Sequence, residues 1–289
     1  MYPPPVQIDL NCDMGESFGR WELGADAAVM PYVSSVSIAC GAHAGDPGVM
    51  RRTLRVASQH GVSCGAHPGF ADLAGFGRRE IQLTGPEATD LVLWQLGALE
   101  ALARSEGIRL RHVKAHGALY NMAARDNALA EALAAAVANF DRTLVFFGLA
   151  GSGMLDAGRR AGLTVAAEGF ADRSYEPDGS LTPRSVPGSV IHDVDQVVAR
   201  AVRMACDARV TACNGAQVPL QIDTICIHGD TPGAPVLARA LREGLQAAGV
   251  RVAPIGSAPS VDQAREHERR QPGQGGSAAT PGPGAPGGN

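Results

Sequence analysis

The chain has 289 residues, 45% of them hydrophobic and 19% charged. That is enough apolar material for a globular core, and one barrel of alternating strands and helices fills such a length. A formal net charge of -4 with only 4% aromatic residues argues against a nucleic-acid binder, which needs a basic face and stacking rings.

No apolar run reaches the roughly 18 residues of a membrane span, and the opening MYPPPVQIDL lacks the segments of a signal peptide. A cytoplasmic protein acting on a small molecule is therefore expected. In chain order, apolar runs predict strands near residues 6–10, 34–39, 62–64, 110–114, 143–147, 163–167 and 222–227, with a weaker one at 250–254. Most are continuously apolar, as in strands covered on both faces. Between them run helical patterns. Asp46 and Pro47 open one that Gly61 follows, Pro86 opens another with Val92, Leu96, Leu99 and Leu102 in step, and a third from Pro232 carries Leu237, Leu241 and Leu245 before Gly249. Strand then helix, repeated about seven times, predicts an α/β fold, a (β/α) barrel of parallel strands, with an open doubly wound sheet as the alternative. Residues 1–255 are expected to form this single catalytic domain and residues 256–289, rich in Gly and Pro, a disordered tail. Six cysteines without a CxxC pair, mostly in apolar runs, read as reduced and buried.

Polar residues follow the apolar runs at once: His43 and His67 in two CGAH segments, Lys114 and His116 in VKAHGALY, and His228 in CIHGD. In parallel α/β folds such positions converge at the C-terminal ends of the strands, where active sites lie. A lone histidine is more often a hydrogen-bonded structural residue, but a core does not require four at strand ends. Lys114 is the only lysine, all other basic side chains being arginine. A site selects a compact ammonium with an adjustable pKa where arginine's permanently charged fork will not serve.

Asp9, Asn11 and Asp13 alternate along the first strand and so point to one side. Asp13, His43 and His67 form a candidate divalent-metal set; alternatively Asp13 orients a histidine and supports a general base. Asp46 and Asp230 precede helix-opening prolines, where N-capping accounts for them as well as catalysis does. Arg78, Arg79, Arg173 and Arg184 fall in loops expected to face the same mouth. Single loop arginines are usually just solvated, whereas several facing a lysine make a carboxylate or phosphate clamp. The segment GLAGSG, residues 148–153, offers backbone N–H groups to a phosphate. There is no Walker loop, no GxGxxG opening a helix and no GxSxG elbow.

Read together, IDLNCDMGESFG, SIACGAHAGD, GAHPGFADLAGFGRR, RHVKAHGALYN, EGFADRSYEPDGSLTPRS and ICIHGDTP resemble the LamB/YcsF family, the A subunits of bacterial 5-oxoprolinase. The resemblance runs in order from about Ile8 to about Ile255. It implies a seven-stranded barrel of the glycoside hydrolase/deacetylase type. It also implies ATP-dependent opening of 5-oxo-L-proline to L-glutamate, with ATP as co-substrate and subunits B and C as partners. Ala42, Ala115 and Cys12 replace the family's common Phe, Pro and Ala, and none of these changes removes a polar group.

With both readings combined, Asp13, His43, His67, Lys114 and His116 are assigned to catalysis. Lys114 stabilises developing charge, Asp13 with His43 or His67 activates water, directly or through a divalent metal, and His116 protonates the leaving ring nitrogen. Asn11, Arg78, Tyr120, Arg173, Arg184, His228 and Asp230 are assigned to substrate binding, with an arginine on the substrate carboxylate. The alternatives are an autonomous metal-dependent amidase or deacetylase, and a non-catalytic subunit that binds the lactam.

Overall fold

The computed structural model describes residues 6–229 and 233–256. In chain order the elements are β1 (Gln7–Met14), α1 (Asp26–Val29), β2 (Ser35–Ala39), α2 (Pro47–Gln59), β3 (Ser63–His67), α3 (Gly85–Ser105) and β4 (His112–Lys114). Two helices, α4 (Gly117–Arg125) and α5 (Asn127–Phe140), then precede β5 (Val145–Leu149), followed by α6 (Gly153–Arg160), β6 (Val165–Phe170) and α7 (Val194–Asp207). A hairpin, β7 (Arg209–Thr211) with β8 (Gln217–Pro219), leads to β9 (Thr224–His228), α8 (Ala234–Ala247) and β10 (Arg251–Val252).

The strands pair in parallel in the order β1-β2-β3-β4-β5-β6-β9, and β9 returns to β1, which closes a seven-stranded barrel. β10 adds to the first two residues of β1 before β9 takes over that edge. Helix starts are capped where the sequence signals them. The Asp46 carboxylate accepts from the N–H groups of Gly48 and Val49 at the head of α2, and Thr84 and Glu87 form a reciprocal capping box on α3.

The strands are not apolar on both faces. Ile8, Leu10, Cys12 and Met14 of β1, with Val36 and Ile38 of β2 and Ile225 and Ile227 of β9, belong to the hydrophobic core. Their alternates fill the barrel: Asp9, Asn11, Asp13, Ser35, Lys114, Glu168 and Thr224 are buried in one connected network, and Ser37 and His112 are buried as a separate hydrogen-bonded pair. This explains why strands extend past the predicted ends. β1 runs to Met14 and β3 to His67 because the inward positions beyond the predicted ends hold Asn11 and Asp13 in β1 and Gly65 and His67 in β3, none of which continues an apolar run.

At the floor of the barrel, Asp9 is completely enclosed, and burial raises its pKa against the pull of three hydroxyl donors. Ser34, Ser35 and Thr224 supply those hydroxyls at 2.6, 2.7 and 2.7 Å, satisfying a carboxyl group that would otherwise be costly inside a fold. Above it, the imidazole of His112 lies against Phe147, with ring centroids 4.4 Å apart, and meets Ser37 Oγ at 3.2 Å. Burial pushes His112 down to about 3, with the charges of Lys114 and His67 adding to the effect.

Other expectations shift. The β7–β8 hairpin falls outside the predicted strands, although Asn214 and Gly215 in its turn are a hairpin signal; α8 begins at Ala234 with Gly233 rather than an aspartate at its N-cap, and Cys206 and Cys213 are exposed although Cys12, Cys40, Cys64 and Cys226 are buried. Asp230 and residues 257–289 of the predicted tail lie outside the described residues. Among the described residues, no helix is long and apolar enough to cross a membrane.

Gly65 of β3 is the position where barrel packing is least tolerant. A Cβ there would stand 2.3–2.4 Å from three ring atoms of His112, and that ring is itself wedged against Phe147. Gly65→Ala is expected to lower unfolding free energy by about 1–3 kcal/mol through overpacking, and Gly65→Ala/His112→Ala should recover part of the loss. Urea denaturation of the three chains checks this; an unperturbed single variant would show that the ring can retreat.

Candidate functional site

Lys114 ends the short strand β4, so its side chain rises along the barrel interior towards the C-terminal mouth. Its ammonium lies 2.9 Å from Asp13 Oδ1 and 2.8 Å from Glu168 Oε1. It also donates to Asn11 Oδ1 at 3.2 Å and to Cys226 Sγ at 2.9 Å. Burial opposes the charge, but Asp13, Cys226 and Glu168 outweigh it and hold the Lys114 pKa well above its ordinary value. Asp13 moves the other way: burial raises it, and His67 and Lys114 pull it well below the usual carboxylate range. The result is a buried, paired cation whose partners come from β1, β6 and β9.

Beside it, Glu16, His43, His67 and His116 bring one donor atom each within 4.8 Å of one another. His67 Nδ1 lies 2.8 Å from the carbonyl oxygen of Lys114, and His116 Nε2 lies 2.8 Å from that of Phe76. A carbonyl only accepts, so both of those nitrogens carry the hydrogen, and in neutral rings the other nitrogens carry lone pairs. Those two, His67 Nε2 and His116 Nδ1, face each other at 3.0 Å. Burial, reinforced by the neighbouring histidines, pushes His43 and His116 well below the ordinary histidine range. Glu16 Oε1 approaches His116 Nδ1 at 3.4 Å and His43 Nε2 at 3.8 Å, while Asp13 Oδ2 reaches His67 Nε2 at 3.3 Å. The His43 ring stacks on His116 at 3.8 Å and is buried with both nitrogens lacking a hydrogen-bond partner. Facing lone pairs flanked by carboxylates need a cation between them, a proton or a metal ion. Tetrahedral coordination at about 2.0–2.1 Å would space the ligand atoms roughly 3.3 Å apart, close to these separations.

The mouth opens into a cavity of about 890 Å³ lined by Asp13, Glu16, His67, Lys114, His116 and Tyr120 on one side and by Arg78, Arg184 and His228 on another. Gly151 and Ser152 of the glycine-rich segment form part of its wall. Tyr120 is buried with its hydroxyl directed at Glu168, and burial together with that carboxylate raises its pKa well above the usual value.

Residues 171–193 pass beside this mouth as a strap. Arg173 lines the cavity beside Arg184 while being buried and donating to the carbonyls of Ser189 and Thr182, and burial lowers its pKa to about 10. Arg200 secures the strap's start through the carbonyls of Ala171 and Arg173. Arg184, carried by the strap, reaches His228.

Of the residues singled out from sequence, Asn11, Asp13, His43, His67, Lys114 and His116 converge, and Tyr120, Arg78, Arg184 and His228 line the cavity beside them. Arg79 instead pairs with Asp72, and Asp46 caps α2 while also accepting from the N–H of Gly19. Glu16, Glu168, Asp172 and Cys226 were missed. Glu168 had a signal: a carboxylate inside an apolar strand needs a buried cation, and the chain holds one lysine.

The sequence profile of the LamB/YcsF family matches residues 8–260. The chain is 56% identical over 245 residues to the A subunit of 5-oxoprolinase from Bordetella pertussis (strain Tohama I), covering 85% of this chain and 97% of that protein. It is 54% identical over 247 residues to the A subunit of 5-oxoprolinase from Tolumonas auensis, covering 86% and 98%. The crystal structure of the lactam utilization protein from Thermus thermophilus matches with a TM-score of 0.82 at 48% identity, covering 86% of this chain and 99% of that one.

Removing the buried cation leaves Asp13 and Glu168 charged without a counter-ion. Lys114→Met is expected to destabilise the fold by about 3–5 kcal/mol at neutral pH, and adding Glu168→Gln should return part of it. Equilibrium denaturation measures both; a Lys114→Met chain as stable as the parent would mean that the two carboxylates do not depend on the ammonium.

Proposed function

Because the chain belongs to the LamB/YcsF family, we propose that it is the A subunit of an ATP-dependent 5-oxoprolinase, opening the lactam of 5-oxo-L-proline to L-glutamate together with subunits B and C. The observation that carries this reading is the buried Lys114 ammonium at the base of a cavity, next to a four-donor cluster and below two rim arginines. The names borne by the relatives fit it: each is the A subunit of a 5-oxoprolinase or a lactam utilization protein.

A lactam is a stable amide, and its opening requires stabilisation of negative charge on the carbonyl oxygen, the task an ammonium performs inside a dry site. Lys114 has four acceptors for three protons. A substrate oxygen would displace the neutral ones, Asn11 and Cys226, and leave the charged pairs intact. Arg78 and Arg184 on the rim would take the substrate carboxylate. ATP, as co-substrate, would activate the carbonyl by phosphorylating its oxygen, with Gly151 and Ser152 on the cavity wall.

Glu16, His43, His67 and His116 would hold a divalent metal ion of nitrogen-and-oxygen preference such as zinc. When bound, the ion would polarise a water molecule for attack. Asp13, tied to both His67 and Lys114, couples that position to the oxyanion site. His116 is better suited to this holding role than to protonating the leaving nitrogen, because both its ring nitrogens are already engaged.

The cluster also favours a second reading, a metal-dependent amidase that needs neither ATP nor partners. Glutamate release from 5-oxoproline, assayed with and without ATP and the partner subunits, separates the two. The first reading expects activity only with all components, and release by the chain alone without ATP would establish the second. Lys114→Ala is expected to lower turnover about 100- to 1,000-fold, and near-parental activity would instead mark a chain that only presents the lactam. Metal content gives an independent check: the purified chain should bind about one divalent ion per chain, and Glu16→Gln or His67→Ala should abolish tight binding, read by elemental analysis and by the cobalt(II) spectrum. Stoichiometric binding retained by both variants would remove the cluster from consideration.

A further inference from the structure

His228 is the last residue of β9, and its partners fix its hydrogens. Nδ1 lies 2.9 Å from Asp172 Oδ2, and a carboxylate accepts, so Nδ1 carries the hydrogen. Nε2 lies 2.9 Å from an Arg184 guanidinium nitrogen, which can only donate, so Nε2 offers its lone pair. Two independent constraints thus agree on one tautomer. The arrangement is a base oriented by a buried carboxylate, with its basic nitrogen covered by an arginine.

Position supports a role in the reaction. His228 pairs in register with Asp13, the Lys114 partner. The His228 ring stacks on Phe170 with centroids 5.7 Å apart, and the Lys114 ammonium lies 5.7 Å from the centroid of the same ring. A ring nitrogen of His228 also lies within 4.8 Å of an Asp13 carboxylate oxygen and of Cys226 Sγ, both of which hold the Lys114 ammonium. The cover stands at the solvent edge: Arg184 is exposed on the strap, whereas Arg173, which anchors the strap, is buried and tied to backbone carbonyls.

We propose that Arg184 is a latch released by the substrate carboxylate. This rests on the lactam reading above. A carboxylate offers the guanidinium two charge-assisted hydrogen bonds in place of one neutral contact, so its arrival draws Arg184 off His228 and uncovers Nε2. With the carbonyl oxygen phosphorylated by ATP and the ring nitrogen, its proton lost, doubly bonded to that carbon, the attacking water gives a proton to Nε2 and its oxygen pair bonds to the carbon, while the C–N π pair moves onto the ring nitrogen, which takes the proton from His228. On collapse the added hydroxyl passes its proton through His228 to that nitrogen, its oxygen becomes the new carbonyl, the C–N bond breaks with its pair going to nitrogen, and the acyl phosphate left is split by a further water into the carboxylate and phosphate. Asp172 is a positioning residue that keeps Nδ1 protonated throughout. A lactam without a carboxylate leaves the base covered, so selection against it acts on the chemical step as well as on binding.

The test compares 5-oxoproline with 2-pyrrolidinone, the same ring without the carboxylate, using the full chain with its partner subunits. Arg184→Ala and Arg184→Met are both expected to raise KM for 5-oxoproline while increasing turnover of 2-pyrrolidinone roughly tenfold or more. Asp172→Asn should lower kcat for 5-oxoproline with little change in KM and should shift the acid limb of its pH profile. If the Arg184 variants leave 2-pyrrolidinone turnover at or below the parental level while the parent converts 5-oxoproline, Arg184 is a carboxylate holder and the latch is wrong. If the parent converts neither lactam, the lactam reading fails first and the latch falls with it.

Discussion

The ammonium of Lys114, enclosed between Asp13 and Glu168, sets the conditions for the rest of the barrel. A charge in that position is tolerable only if every neighbour contributes a partner. The inward residues of β1, β6 and β9 accordingly form one connected set: Asn11 bridges Lys114 to Glu168 and Thr224, and Thr224 passes the network down to Asp9. The usual apolar layers inside a parallel barrel are replaced by hydrogen-bonded ones. Rigidity at the mouth is supplied from the floor, through polar contacts that cannot slide as a greasy core can.

This arrangement also governs what could be read from the sequence. The outward strand residues and the helix caps are local signals, so the barrel, its strand count and the starts of α2 and α3 were legible. The inward residues are polar, so β1 and β3 appeared shorter than they are. His67, Lys114 and His228 stood out because each closes a strand. Glu16 did not, since an acid two residues past a strand reads as solvated loop, and only the fold turns it towards His43 and His116. Arg173 was legible as a loop arginine facing the mouth, and it does line the cavity, but its hold on the backbone carbonyls of the strap was not, because those carbonyls are brought to it only by the fold.

The division between lysine and arginine follows the same physics. Arginine's planar, permanently charged fork suits the strap, where Arg173 and Arg200 each gather several carbonyl oxygens at fixed geometry. At the base of the cavity the acceptors surround a point: two carboxylates, an amide oxygen and a thiol from three strands. A tetrahedral ammonium can redistribute three protons among four acceptors as a ligand enters, and a guanidinium fixed in one plane cannot. That freedom lets Lys114 serve the folded apo state and a bound oxygen without being rebuilt, and it accounts for a single lysine in a chain that elsewhere uses only arginine.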